Sequence, residues 1–497
     1  MPVPAVSPRL AALLALAALV LPGCAAMRSY DSEMRETLAR TTPGQVQAAI
    51  QTLEKNNKGD KDLLYYMEMG ELQRLALQYD KSQTAWMAGD RTVQAWEAAA
   101  KLNPLRVSGS VGSYLINDKV RTYEGQDFEK VMLTTRIALN FLAEGNWDNA
   151  RVAIKQTHER EAVIADVRAK QYVEIEQEAK KKGATTNFRE LSGYPVASLD
   201  TPSVRALKNS YQSAFSHYLA GFIYESLGEA GLAAPGYRQA LELYGRSGPL
   251  DDALSGLDQR MAARDDGLTD VLFEIETGLV PARVSKEFAL PMPINDKIVL
   301  VAVSFPVMQT QEPAVPVSRV VLQGGPEIPA VQITSVDAMA RRSLEDEMPG
   351  IMLRGFVRST SKAIAQYEMQ RQAQQQNNDG AAAALGIMSL ALMIGSAVTE
   401  KADEREWRLL PASINIARAK VPPGSYTVTV ETADGPQSVR VNIGGRHAFI
   451  ALRLLRGRLF AMLPPIPAEG APPGAESTQA PPDAPGHVST TMEVPHS

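Results

Sequence analysis

The chain has 497 residues and a net charge of -5, with 45% apolar and 22% charged residues, a balance that permits a buried core. Acidic and basic residues are interleaved along it, which argues against the basic face of a nucleic-acid binder. A single cysteine excludes any internal disulfide.

The first element is an apolar run from Leu10 to Val20 behind one positive charge at Arg9, closing on Leu21-Pro22-Gly23-Cys24. The run has the build of an export signal and is shorter than the roughly 20 apolar residues that span a bilayer. The segment resembles a bacterial lipoprotein signal, with Leu21 three places and Gly23 one place before the cysteine. That resemblance implies cleavage of residues 1–23 and a lipid such as palmitate on Cys24, which becomes the new N-terminus. Ala25 after it fits the outer membrane, because an aspartate there marks retention in the inner one. Residues 24–42 read as a polar tether.

From Thr42-Pro43, a cap and first-turn pair, the period is helical to about residue 265. Start signals stand at Asp60, Asp127, Asn146 and Thr201-Pro202, and stop signals at Gly59, Gly145, Gly183, Gly228 and Gly245. Three windows repeat one frame, a small residue followed twelve places later by a second small residue and sixteen places later by a bulky one. These are Gly70, Ser82 and Trp86; Ala138, Ala150 and Ile154; and Gly221, Ala233 and Tyr237. They match tetratricopeptide positions, where small residues let paired helices approach and large ones fill the gap. Residues 43–265 are therefore expected to form a TPR-like α-solenoid, with a concave groove for a protein partner. A long helix from about Asp148 to Lys182 ends in a charged, solvated stretch.

At Asp265-Asp266-Gly267 the period changes to alternation. Strands are expected over Asp270–Glu276, Ile298–Phe305, Val320–Leu322, Val331–Thr334, Ser413–Arg418, Tyr426–Glu431, Ser438–Ile443, His447–Leu454 and Arg458–Met462. Residues 266–462 read as one mixed domain, a β-sandwich-like sheet with a helical insertion over 335–405. Two helices, Ser335–Asp346 and Ile351–Gln376, open the insertion. Ala381 to Val398 follows, an uncharged run that would reach about 27 Å as a helix. Its alanines and glycines suit packing against Ile351–Gln376 or a neighbouring subunit better than lipid. Residues 463–497 are rich in Pro, Ala, Gly and Ser, a composition that does not bury a core. The fold class is α+β.

Chemistry-bearing patterns are sparse. His158, His217, His447, His487 and His496 have no metal-ligand spacing, so no metal centre is expected. No nucleophile elbow, phosphate loop or dinucleotide fingerprint occurs, and no cofactor is implied. The carboxylates of Glu345-Asp346-Glu347, Glu400 and Asp403-Glu404-Arg405-Glu406 are expected at solvated helix ends. The alternative is salt bridges to Arg341, Arg342, Arg405 and Arg408.

Three segments carry a wider resemblance: Tyr123-Glu124-Gly125-Gln126-Asp127-Phe128-Glu129-Lys130, Ala340-Arg341-Arg342-Ser343-Leu344 through Arg354, and Glu400 through Pro411. Together they resemble an uncharacterised family of Gram-negative envelope lipoproteins with an N-terminal TPR-like helical array. The resemblance covers residues 24–462 and carries no catalytic residues. It implies a non-catalytic, lipid-anchored protein at the outer membrane, facing the periplasm, that acts as a scaffold for envelope protein partners. The alternatives are a peptidoglycan- or carbohydrate-directed binder or enzyme using the C-terminal domain, and a membrane-inserted oligomer using Ala381 to Val398.

Overall fold

The computed structural model describes residues 29–463 apart from 43, 58, 60, 103–121, 264–265, 295–296 and 376–400, and over 290–294, 297–300 and 362–375 it describes the backbone. Cys24, the run Ala381 to Val398 and the tail from 464 therefore lie outside the described residues.

Helices fill the first half: α1 (Tyr30–Leu38), α2 (Val46–Asn56), α3 (Leu63–Leu75), α4 (Tyr79–Leu102), α5 (Asp127–Ala143), α6 (Trp147–Lys182), α7 (Ala214–Ser226), α8 (Ala230–Tyr244), α9 (Gly248–Ser255) and α10 (Leu257–Ala262). Their ends follow local chemistry. Asn146 caps α6 by accepting from the Asn149 amide, and Gly183 ends it in the left-handed conformation at φ 62°. Asp62 caps α3 by accepting from the Tyr65 amide at 2.9 Å, and the expected start signal Asp60 lies outside the described residues. The first stretch departs from a tether. Residues 30–38 are helical, and Met34 and Leu38 are buried because their spacing of four puts both on one face.

The sixteen-residue pairs meet inside helical hairpins. A Cβ on Gly70 would lie 2.2 Å from Trp86 Nε1, and one on Gly221 would lie 2.6 Å from the Tyr237 ring. Ala138 and Ile154 are both fully buried. The hairpins α3–α4 and α7–α8 thus close as tightly as their glycines allow.

Strands form two packed layers and a ribbon. The first sheet runs β11 (Arg458–Ala461), β10 (His447–Leu455), β1 (Thr269–Thr277), β7 (Ser413–Val421) and β6 (Val331–Ser335). The second runs β5 (Glu327–Pro329), β4 (Val317–Leu322), β8 (Gly424–Thr432) and β9 (Gly435–Ile443). Val271, Phe273 and Ile275 of β1 share an apolar core with Val320, Val428, Val430 and Val441 of the second sheet. β1 is parallel to β10 and antiparallel to β7. Its alternation reads as a half-exposed strand, yet all nine of its residues are buried. The acidic face looks onto arginines of the helical layer rather than onto water.

The ribbon pairs β2 (Ala282–Ile294) with β3 (Lys297–Gln309). Pro291 and Pro293 hide β2 from sequence reading. A strand with one neighbour among the described residues needs no amide on its open edge, so both prolines are tolerated. Helix α11 (Val336–Gln375) runs unbroken through Pro349, where the sequence predicts two helices. Its contacts with α6, Ile175 and Ala179 against Leu353 and Val357, offset the proline's cost of about 3 kcal/mol. Residues 401–407 are not helical, so Asp403 is not on a helix, and Glu400 lies outside the described residues.

Beside the core between the sheets, a larger apolar core joins both halves, running from Met34 and Trp86 of the helices to Ile414 and Leu455 of the sheet.

Candidate functional site: a charged seam ending in a polar cavity

The seam begins where an extended strip, residues 401–412, threads between helices and sheet. A strip outside any ladder leaves backbone amides to be satisfied. Glu129 of α5 accepts from the Trp407 amide at 2.6 Å. Glu68 of α3 accepts from the Arg408 and Leu409 amides at 2.7 and 3.2 Å, and from the Tyr30 hydroxyl at 2.7 Å. Burial nonetheless pushes Glu68 up to about 8 and raises Glu129. Glu406, which has no hydrogen-bond partner for either oxygen among the described residues, is likewise raised to about 8 by burial, against the pull of Arg283. Arg408 donates to Asp31 at 2.5 Å and to the Arg283 carbonyl at 2.8 Å, which ties α1 to the strip.

Across the strip, Arg136 of α5 and Arg453 of β10 converge on Glu276 of β1. Burial opposes ionisation of Glu276, but Arg136, Arg453 and Arg74 together hold it down at about 2. Its neighbour Glu274 is raised, first by burial and then by the charge on Glu276. Further along, Arg418 of β7 binds Asp270 at 2.6 Å and Glu225 of α7 at 2.9 Å. Removing one partner of such a pair leaves an uncompensated buried charge, at a cost of about 3–5 kcal/mol. The seam therefore fixes how helices and sheet sit on each other.

At one end the seam opens into a cavity of about 190 Å³. Its walls come from the end of α4 (Trp96), the start of α5 (Tyr123, Gln126, Lys130), the second half of α6 (Arg168, Tyr172), β2 (Arg283), α11 (Asp346, Glu347, Arg354) and the strip (Asp403, Arg405). All three segments that carry the family resemblance supply walls of this one cavity.

The ions of its floor form two groups. Asp127 serves both Lys130, at 3.4 Å, and Arg168. Glu347 binds Arg283 at 2.9 Å. The Lys130 ammonium lies 3.7 Å from the centre of the Trp96 ring, and burial lowers its pKa. The indole Nε1 of Trp96 is buried with no acceptor among the described residues.

Sequence reasoning placed Asp346, Glu347, Asp403 and Arg405 at a helix boundary, and the fold brings them to this cavity. Asp346 pairs with Arg342 at 2.9 Å and Asp403 with Arg405 at 2.7 Å, as the nearby arginines implied. Glu347 instead finds Arg283, a residue with no local signal. Lys130, Arg168 and Trp96 were also missed. The trace of Lys130 is its place one turn after Asp127 on a helix buried along nearly its whole length, where each charge needs a partner. His158 and His217, unrelated in spacing, also meet: His217 Nδ1 lies 2.8 Å from His158 Nε2, and His217 Nε2 lies 3.0 Å from Glu161 Oε2. No cluster of three metal-ligating side chains and no helix long and apolar enough to cross a membrane occurs among the described residues.

Comparison with family models and with curated proteins finds no match to this chain.

Proposed function

We propose that the chain is a non-catalytic lipoprotein of the outer membrane, anchored through Cys24 and facing the periplasm, that acts as a protein-interaction scaffold in the cell envelope. Its helical half is a TPR-like array. The observation that carries this reading is the recurrence of the small-to-bulky pair at sixteen residues in three hairpins, each pair buried and the two glycine pairs in direct contact.

The inner side of the array supports it further. Helices of this kind clasp extended peptides, and here α3 and α5 clasp the chain's own strip, through Glu68 and Glu129 on backbone amides. That surface is filled. A partner therefore docks on what the array leaves open, the second half of α6 and the mouth of the cavity beside it.

In-cell crosslinking from the exposed Tyr172 position, followed by mass spectrometry, tests the scaffold reading. One envelope protein should be recovered reproducibly, and its recovery should fall when α6 is altered. Incorporation of a palmitate analogue tests the anchor. It should vanish in Cys24→Ser, and label retained in that variant would overturn the lipoprotein assignment.

A further inference from the structure

We propose that the open edge of β3, over residues 298–302, is an interface with a second copy of this chain, which adds its own β3 antiparallel about a twofold axis at Leu300.

The ribbon β2–β3 has two open edges among the described residues, and its prolines show which way the amides point. Pro291 faces Leu300, Pro293 faces Ile298 and Pro306 faces Ser285, so all three fall on alternate pairs of one set. Alternate pairs of an antiparallel ladder either exchange hydrogen bonds or turn their amides and carbonyls outward, and only the second kind tolerates proline. Ser285 gives the same assignment, because its amide turns away from β3 and donates to Glu404 Oε1 at 3.3 Å. The outward positions of β3 therefore include Ile298, Leu300 and Ala302, each with an amide to offer. Opposite them on β2 stand Pro293, Pro291 and Ala289, two of which have none. Nearer the base, Glu404 already covers the β2 edge at Ser285. One edge of the ribbon is blunted, and the other can accept a strand.

The run Ile298-Val299-Leu300-Val301-Ala302-Val303 is apolar without alternation, the pattern of a strand covered on both faces. Helix α11 packs at the base of the ribbon, where a Cβ on Gly355 would lie 3.3 Å from Val303 and 3.4 Å from Phe305. Farther out, the cross-strand pair Ala289 and Ala302 is exposed. Two strands alone are marginal in water, so a third neighbour stabilises the ribbon.

The order of residues selects the occupant. About Leu300 the run reads alike in both directions, with Val299 and Val301 on either side. Antiparallel pairing of two copies sets Leu300 opposite Leu300 and Ile298 opposite Ala302, with outward amides meeting outward carbonyls. Val299 then stands opposite Val301 in the closer, non-hydrogen-bonded kind of pair, which suits β-branched residues. Lipid is a poorer occupant, because hydrocarbon leaves the same amides unsatisfied. In the joined sheet both blunted β2 edges lie outermost, so growth stops at two copies.

This inference does not rest on the anchored-scaffold reading, because it concerns association of the purified full chain with itself. Light scattering in detergent, with the micelle's share subtracted, should give the mass of two copies. Ala302→Pro and Ala289→Pro alter the two members of one exposed pair, and each removes an outward amide while leaving the β2–β3 hydrogen bonds in place. Ala302→Pro should weaken association by about tenfold or more, since it orphans a ladder carbonyl of the second copy. Ala289→Pro should leave association and melting temperature unchanged. Leu300→Lys and Leu300→Asp each set like charges opposite one another on the axis, so either alone should run as one copy and a mixture as two. That rescue reads the axis even if the proline variants do not fold. A parent chain that runs as one copy overturns the proposal and leaves the edge to a strand of another protein. So does a folded Ala302→Pro that still pairs, an equal loss in Ala289→Pro, or folded Lys and Asp variants that stay apart when mixed. A mass above two copies overturns the twofold arrangement.

Discussion

Glu406 is the residue whose chemistry departs furthest from its surface counterpart. Its side chain is fully buried, and its carboxyl is held protonated to about 8. A carboxyl raised in the fold gives stability that is full below the unfolded value near 4.5 and is lost as pH rises toward 8. Glu68 acts in the same direction. Glu406→Gln mimics the protonated form, so its melting temperature should exceed the parent's by about 3 °C at pH 8.5 and match it at pH 5. Scanning calorimetry at the two values checks this. His158 works in the opposite direction. Burial, and then the neighbouring His217, lowers its pKa below 6.5. Its contribution is present above 6.5 and is lost as pH falls through the folded value, because the unfolded chain takes up a proton that the folded one refuses. His158→Gln should therefore flatten the fall in stability between pH 6.5 and 5, measured by urea unfolding. No sequence spacing announces either group. Glu406 stands in a string of charges, and its burial comes from a strip packed between two layers.

Among elements, the hairpins were the most legible. Gly70 and Trp86, or Gly221 and Tyr237, are a local matter, since two antiparallel helices with a short turn bring residues sixteen apart face to face. Gly221→Ala would place a methyl 2.6 Å from the Tyr237 ring, and Gly70→Ala one 2.2 Å from Trp86. Each should cost about 1–3 kcal/mol by overpacking, read as a lowered urea midpoint with an unchanged slope. Strands with clean alternation were equally legible, from β1 to β10. Among the elements that were not, which include α1 and β5, two show why. β2 carries prolines that contradict a strand until one knows that its open edge needs no donors. α11 carries a proline that contradicts a helix until one knows that α6 packs against it. In both, contacts made by distant residues overrode local preference.

At the scale of the molecule, the boundary near residue 265 is a change of period that does not separate two cores. Trp407, fully buried, stacks edge-to-face on Trp86 at 6.2 Å, so an insertion within the β half plugs the helical half. Trp407→Ala should cost about 3–5 kcal/mol and lower helix and sheet signals in one transition, followed by circular dichroism at two wavelengths. Expressed alone, residues 266–497 would expose the acidic face of β1 without Arg74 and Arg136. That fragment should lack a cooperative transition and bind a hydrophobic dye, which fluorescence would report.

The sequence by itself determined the helical hairpins, most strands, the α+β class and the singular position of Cys24. These depend on periodicity, capping and composition within a few tens of residues. Only the tertiary structure decided which charges are buried. Glu68 and Arg408, Arg136 and Glu276, or Arg283 and Glu347 lie far apart in the chain, and nothing local names those partners. The cavity follows from the same fact. Three segments with unremarkable patterns line one cavity because the packed layers bring their ions together.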